Sequence, residues 1–126
     1  MTVNKQYLHS DLTEKVIKAA LKVHKQLGPG FIEKIYQRSL EIELEKNNLK
    51  AKREKLLELT YEGINIGSDK VDFEIEGKVL VELKAVSELS AIHRAQLISY
   101  LKAAGLKVGL LINFAQLKLQ IKRVIV

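Results

Sequence analysis

Asp72, Glu82 and Lys84 are the residues whose types and spacing could do chemistry. Carboxylates suit a hard divalent cation such as Mg²⁺, which takes a few anionic oxygens and keeps several waters. A lysine two residues beyond a carboxylate on a strand shares its face, where its ammonium can orient an attacking water or neutralise charge on a phosphate. The surrounding segment alternates. Val71, Phe73, Ile75, Val79, Val81 and Leu83 are apolar, whereas Asp72, Glu74, Glu76, Lys78, Glu82 and Lys84 are charged. Two strands, 71–76 and 78–84, are predicted, with one face in a core and the other carrying the charges.

The register follows from the same alternation. A two-residue turn at Glu76-Gly77 would pair Asp72 with Val81 and mix the faces. A three-residue loop, Glu76-Gly77-Lys78, pairs Ile75 with Val79, Phe73 with Val81 and Asp72 with Glu82. Burial selects the second, and Gly77 suits the left-handed position such a loop needs. Carboxylates facing each other across a hairpin repel by roughly 0.2–1 kcal/mol when solvated. A cation between them reverses that sign. The competing reading is a solvated strand face, with Glu82 and Lys84 as ordinary neighbouring charges.

Other elements must hold this hairpin. Leu12, Val16, Ala19, Ala20, Val23 and Leu27 recur at helical spacing, predicting a helix over 11–27 capped by Ser10 or Asp11. Gly28-Pro29-Gly30 ends it as a turn, since the triplet lacks the lysine and hydroxyl residue of a phosphate-cradling loop. A second helix is predicted over 31–46, with Ile32, Ile35, Tyr36, Leu40 and Leu44 on its apolar side. Extended structure follows over 49–61, and turns are expected at Glu62-Gly63 and Gly67-Ser68. A third helix over 90–104 turns Ile92, Leu97, Tyr100, Leu101 and Ala104 inward, and strands over 106–114 and 117–125 close the chain. This order predicts an α/β fold, a central mixed sheet of about five strands with three helices against it.

Length, composition and charge narrow the class. The 126 residues fit one domain, 1–126, and 47% hydrophobic content supports a core of its own. With no cysteine, disulfides and thiolate metal sites are excluded, and the histidines lack zinc-like spacing. Met1–Asp11 is polar, without the apolar stretch of a signal peptide, and no apolar run approaches membrane-spanning length, so a cytoplasmic location is expected. A net charge of +6 is compatible with a polyanionic partner, and equally with a basic protein that has none.

The pattern Asp72…Glu82-Leu83-Lys84 resembles the PD-(D/E)XK nuclease signature, with Val71 in place of its usual proline. Gly30-Phe-Ile-Glu33-Lys-Ile-Tyr36 is similar to the motif that names the GxxExxY protein family, assigned to the same superfamily. The likeness runs nearly end to end through Val23-His24, Val81–Ala85, His93–Gln96 and Gly109–Phe114. It implies a restriction-endonuclease-like core. It also implies that Asp72 and Glu82 bind Mg²⁺ or Mn²⁺ with the backbone carbonyl of Leu83, that Glu33 completes the site from the second helix, and that Lys84 is the catalytic lysine. Gln96-Leu-Ile-Ser-Tyr100 resembles the QxxxY element of an exonuclease-like branch, which lies beside metal and substrate.

Bland readings stand beside these. Glu33 opens a helix, where a carboxylate is favoured by the dipole in any case. Tyr36 and Tyr100 can serve as core anchors, His93 is either near the cleft or exposed, and His24 reads as a packed helix residue. The function implied is metal-dependent hydrolysis of DNA, with Lys50, Lys52, Arg53, Lys55, Lys118, Lys122 and Arg123 as candidate phosphate contacts. The alternatives are a non-cleaving nucleic-acid-binding or assembly module that keeps the fold, and hydrolysis of RNA or a small phosphoester. A protein partner or homodimer could then supply substrate choice.

Overall fold

The computed structural model describes residues 7–126, so the first six residues of the polar N-terminal stretch and of the expected 1–126 domain lie outside it. The order is α1 (Ser10–Leu27), α2 (Glu33–Lys46), β1 (Ala51–Tyr61), β2 (Ile64–Ile75), β3 (Val79–Lys84), α3 (Ala91–Ala104), β4 (Val108–Asn113) and β5 (Gln120–Ile125). The strands form one sheet in chain order. Only β3 and β4 run parallel, because α3 carries the chain back between them; every other neighbour pair is antiparallel. The mixed five-strand sheet with three helices is the predicted architecture.

The sheet is covered on both sides. Phe73, Ile75, Val79, Val81 and Leu83 join Val16, Tyr36, Leu40 and Leu44 of α1 and α2 in one buried cluster. Leu57, Val71, Leu80 and Leu111 join Leu97, Tyr100 and Leu101 of α3 in a second. Gly109 permits the close approach of α3, since a Cβ there would meet the Leu97 side chain at 3.0 Å. The one-sided hairpin expected from alternation is therefore corrected. Val79 through Leu83 are all buried, Glu82 among them at 7% exposure.

Local expectations failed where backbone conformation or helix rotation overrode pattern. Ser10 and Asp11 do not cap α1; His9 precedes it in left-handed backbone (φ 57), and Ser10 Oγ instead donates to the Tyr7 carbonyl at 2.7 Å. Ile32, just before α2, and Ile35 within it are exposed, while Tyr36 turns inward to stack on Phe114 with ring centroids 4.5 Å apart. That tyrosine also donates to the Gly28 carbonyl at 2.6 Å, tying down the turn between the helices. Ile92 is exposed on α3, where only Leu97, Tyr100 and Leu101 are buried.

Glu62 (φ 50) and Gly63 (φ 79) form the predicted tight turn, but Gly67-Ser68 does not turn the chain. Those residues lie inside β2, where the register shifts opposite Leu59 and Thr60. Gly67 adopts φ 138 there, a conformation closed to most side chains, and the strand starts at Ile64 rather than 71.

Candidate functional site

The hairpin has the predicted register, Phe73 opposite Val81 and Ile75 opposite Val79. Glu76 (φ 54) and Gly77 (φ 66) make its loop, closed by Lys78 N–H donating to the Ile75 carbonyl at 2.9 Å. The β2–β3 backbone ladder stops at Phe73–Val81, and side chains take over one residue further on. Asp72 N–H donates to Glu82 Oε1 at 3.1 Å, and Leu83 N–H donates to Asp72 Oδ2 at 2.7 Å. On the other side of β2, Glu54 sits in left-handed backbone (φ 52) between the pairs Arg53–Phe73 and Lys55–Val71. The alternation slips across this break, and Val71 packs with the α3 cluster instead of with Phe73.

The break brings two carboxylates together under cover. Burial, and then the charge of Asp72, push the Glu82 carboxyl up to about 8. Lys84 Nζ lies 3.8 Å from Glu82 Oε2 and donates to Gln96 Oε1 at 3.1 Å. Tyr100 makes no hydrogen bond to this group. Its hydroxyl donates to Asp69 Oδ2 at 2.8 Å, and its pKa is raised by burial, by that bond and by the charges of Glu82, Asp69 and Asp72. Asp69 and Tyr100 thus tie the end of α3 to β2, while Gln96, one turn earlier, holds the lysine.

Glu33 makes no contact with either carboxylate. It shares with Lys34, Gln37, Glu54 and Asp72 a cleft of about 140 Å³ at the start of α2. Gln37, not singled out from sequence, enters the site directly: Nε2 donates to Asp72 Oδ1 at 2.9 Å. Its spacing of one helical turn from Glu33 was the available signal. At Leu83 the atom engaged with Asp72 is the N–H, not the carbonyl. Asn113 also escaped notice. Fully buried, it accepts from Val86 N–H at 3.0 Å and donates to the Val86 carbonyl at 2.8 Å, holding the segment that leaves Lys84.

The donor set suits a hard cation. Each carboxylate oxygen of Asp72 accepts one N–H and has a further lone pair, and Glu82 is held beside it at the cost of a raised pKa. Among the described residues no three Asp, Glu, His or Cys side chains converge to hold a metal. Two carboxylates completed by neutral oxygens and water match the habit of Mg²⁺.

The candidate cations divide. Lys50, Lys52, Arg53 and Lys55 lie at or beside the edge strand β1, and Lys118, Lys122 and Arg123 lie at or before the opposite edge strand β5. Lys52 faces Glu74 at 3.9 Å and Arg53 faces Glu41 at 3.4 Å. Arg123 turns inward, donating to Thr13 Oγ1 at 2.7 Å and to the Leu8 carbonyl, so its guanidinium fastens α1 to the sheet. His24 is a packing residue as expected, its Nε2 donating to the Gln116 carbonyl at 2.9 Å. His93 Nδ1 accepts from Ser90 N–H at 3.0 Å and closes the N-terminus of α3.

A sheet broken at an acidic pair, with a lysine two residues on, defines an α/β fold of the restriction-endonuclease type. Residues 10–124 match the PD-(D/E)XK nuclease superfamily, and the chain belongs to it. The fold is similar to the crystal structure of SSO0001, with a TM-score of 0.59 and 20% identity over 95% of this chain. The match spans 59% of that protein's length. No curated protein matches the sequence. Among the described residues no helix is long and apolar enough to cross a membrane.

Proposed function

We propose that this chain is a single-domain, Mg²⁺- or Mn²⁺-dependent nuclease of the GxxExxY type that hydrolyses phosphodiester bonds in DNA. The observation that carries the reading is Glu82, a buried carboxyl that accepts the Asp72 N–H and feels the Asp72 carboxylate, with Lys84 beside it. A solvated strand face would leave Glu82 in water, where nothing is gained by such an arrangement.

Asp72 and Glu82 would hold the cation, with Glu33 in the cleft beside Asp72. When bound, the cation supplies Lewis acidity to the phosphoryl oxygens and lowers the pKa of a bound water. Lys84 presents its ammonium to the phosphate, stabilising the negative charge that grows on its oxygens and orienting the attacking water. Gln96 aims that ammonium, and Tyr100, through Asp69, keeps α3 at the distance this requires. Lys50, Lys55, Lys118 and Lys122 meet the flanking backbone, with Lys52 and Arg53 exchanging a surface carboxylate for a phosphate.

The test is a cleavage assay on linear, circular and single-stranded DNA, and on RNA, with Mg²⁺, with Mn²⁺ and with chelator. Metal-dependent cleavage of DNA that falls by about 10²–10³ in Lys84→Ala is expected. Cleavage that persists unchanged in that variant, or in chelator, would refute the reading.

A further inference from the structure

Gln37 is 3% exposed, and its Oε1 is the one buried side-chain polar atom among the described residues without a hydrogen-bond partner. Leaving such an acceptor unpaired in the interior is costly, so its retention calls for a physical reason. The orientation of the amide is dictated by chemistry. The Gln37 Nε2 group donates to Asp72 Oδ1 at 2.9 Å, the side of the amide that a carboxylate oxygen calls for. Turning the amide over would set a carbonyl oxygen against a carboxylate oxygen. The orphan therefore cannot be relieved by a flip.

What could satisfy Oε1 is narrowed by its surroundings. Gln37 lines the cleft it shares with Glu33, Glu54 and Asp72. The cation of that cleft, Lys34, is committed to Glu54, with Nζ 2.6 Å from Oε1. Glutamine also fits this position better than glutamate would. A third carboxylate packed against Asp72 would add like-charge repulsion, whereas an amide offers a hard oxygen without a charge and fixes Asp72 with its other end.

We propose that Gln37 Oε1 is a neutral oxygen ligand of the divalent cation held at Asp72 and Glu82, a role that rests on the metal-dependent reading above. One amide then does two things: its NH₂ fixes a carboxylate ligand, and its carbonyl adds a donor from α2. The rival is an ordered water on Oε1 that has no contact with the cation.

The experiment is a Mg²⁺ titration of protein carrying [5-¹³C]glutamine, with the Gln37 carbonyl resonance identified by its loss in Gln37→Met. Alongside it, Mn²⁺ affinity is measured calorimetrically for wild type, Gln37→Met and Gln37→Glu. The carbonyl resonance of Gln37 should move more than that of any other glutamine, with the midpoint of the binding curve. Gln37→Met, which keeps the length but offers no hard oxygen, should weaken Mn²⁺ by about tenfold. Gln37→Glu should bind at least as tightly as wild type. A Gln37 resonance that stays fixed while Mg²⁺ binds overturns this assignment and leaves the metal site standing. Wild-type protein that binds neither cation overturns both. Should Gln37→Met fail to fold, Gln37→Glu identifies the resonance, and the wild-type titration decides alone.

Discussion

The two ends of the β2–β3 hairpin carry the same kind of residue and use it in opposite ways. Toward the loop, carboxylates meet donors: Glu74 lies 3.9 Å from Lys52 Nζ, and Glu76 Oε2 accepts from Lys50 N–H at 2.5 Å. Two residues before Glu74, the Asp72 N–H donates to Glu82 Oε1 at 3.1 Å, and Lys84 Nζ lies 3.8 Å from Glu82 Oε2. At the loop end each carboxylate has a donor of its own, although the Glu74 side chain is only 12% exposed. At the other end the backbone ladder has been given up so that side chains can converge. Alternating charge along a strand does not single out a site; a buried carboxyl beside a half-buried one at a break in the ladder is the feature on which the proposed site rests.

The largest expected effect breaks that contrast at its acidic end. Asp72→Asn exchanges an anionic ligand for an amide and should take metal-dependent cleavage below detection. Lys84→Ala, which leaves both carboxylates in place, should lower the rate by about 10²–10³. Steady-state rates on the folded variants check both, and loss of equal size in Glu74→Gln would erase the distinction between the two ends.

The second effect is on stability and has a definite sign. Glu82 titrates near 4.5 when unfolded and is raised to about 8 in the folded, metal-free protein. Between those values the folded state binds more protons than the unfolded state, so stability falls as pH rises from 4.5 to 8. Below that window the contribution is present in full; above it, it is gone. Thermal melts in chelator should show this slope in wild type, and Glu82→Gln should flatten it. A wild-type melting temperature that rises steadily across the window would contradict the burial argument for Glu82.

Smaller effects sharpen the contrast from its surface side. Arg123→Ala removes charge-assisted bonds to Thr13 and the Leu8 carbonyl and should cost roughly 1–3 kcal/mol in denaturant unfolding. Its loss should leave the salt dependence of DNA binding nearly unchanged, unlike loss of an exposed lysine. Lys52→Ala should cost no more than about 1 kcal/mol.

Much of this was legible because period and register are local. The three-residue loop at Glu76–Lys78 followed from keeping Phe73, Ile75, Val79 and Val81 on one face, and the structure has that register. What alternation could not reveal was the second cover. Leu80 is an isolated apolar residue among the charged positions of the hairpin, yet it joins Leu97 and Leu101 of α3 in a buried cluster, and Glu82, two residues on, is also buried. The left-handed Glu54 carries no glycine to announce it. Gln37 was passed over because a glutamine on a helix reads as surface until the partner, Asp72, is brought to it from 35 residues away, and its one-turn spacing from Glu33 was a weak signal alone. Arg123 looked like one more surface cation for a similar reason, since its partners lie over a hundred residues back along the chain.

The central claim is that the Asp72–Glu82 junction holds a divalent cation, and calorimetric titration of Mn²⁺ into wild type and Asp72→Asn tests it most directly. The account predicts saturable binding to wild type and affinity at least tenfold weaker in Asp72→Asn. Equal affinity in the two proteins, or no binding to either, would contradict it.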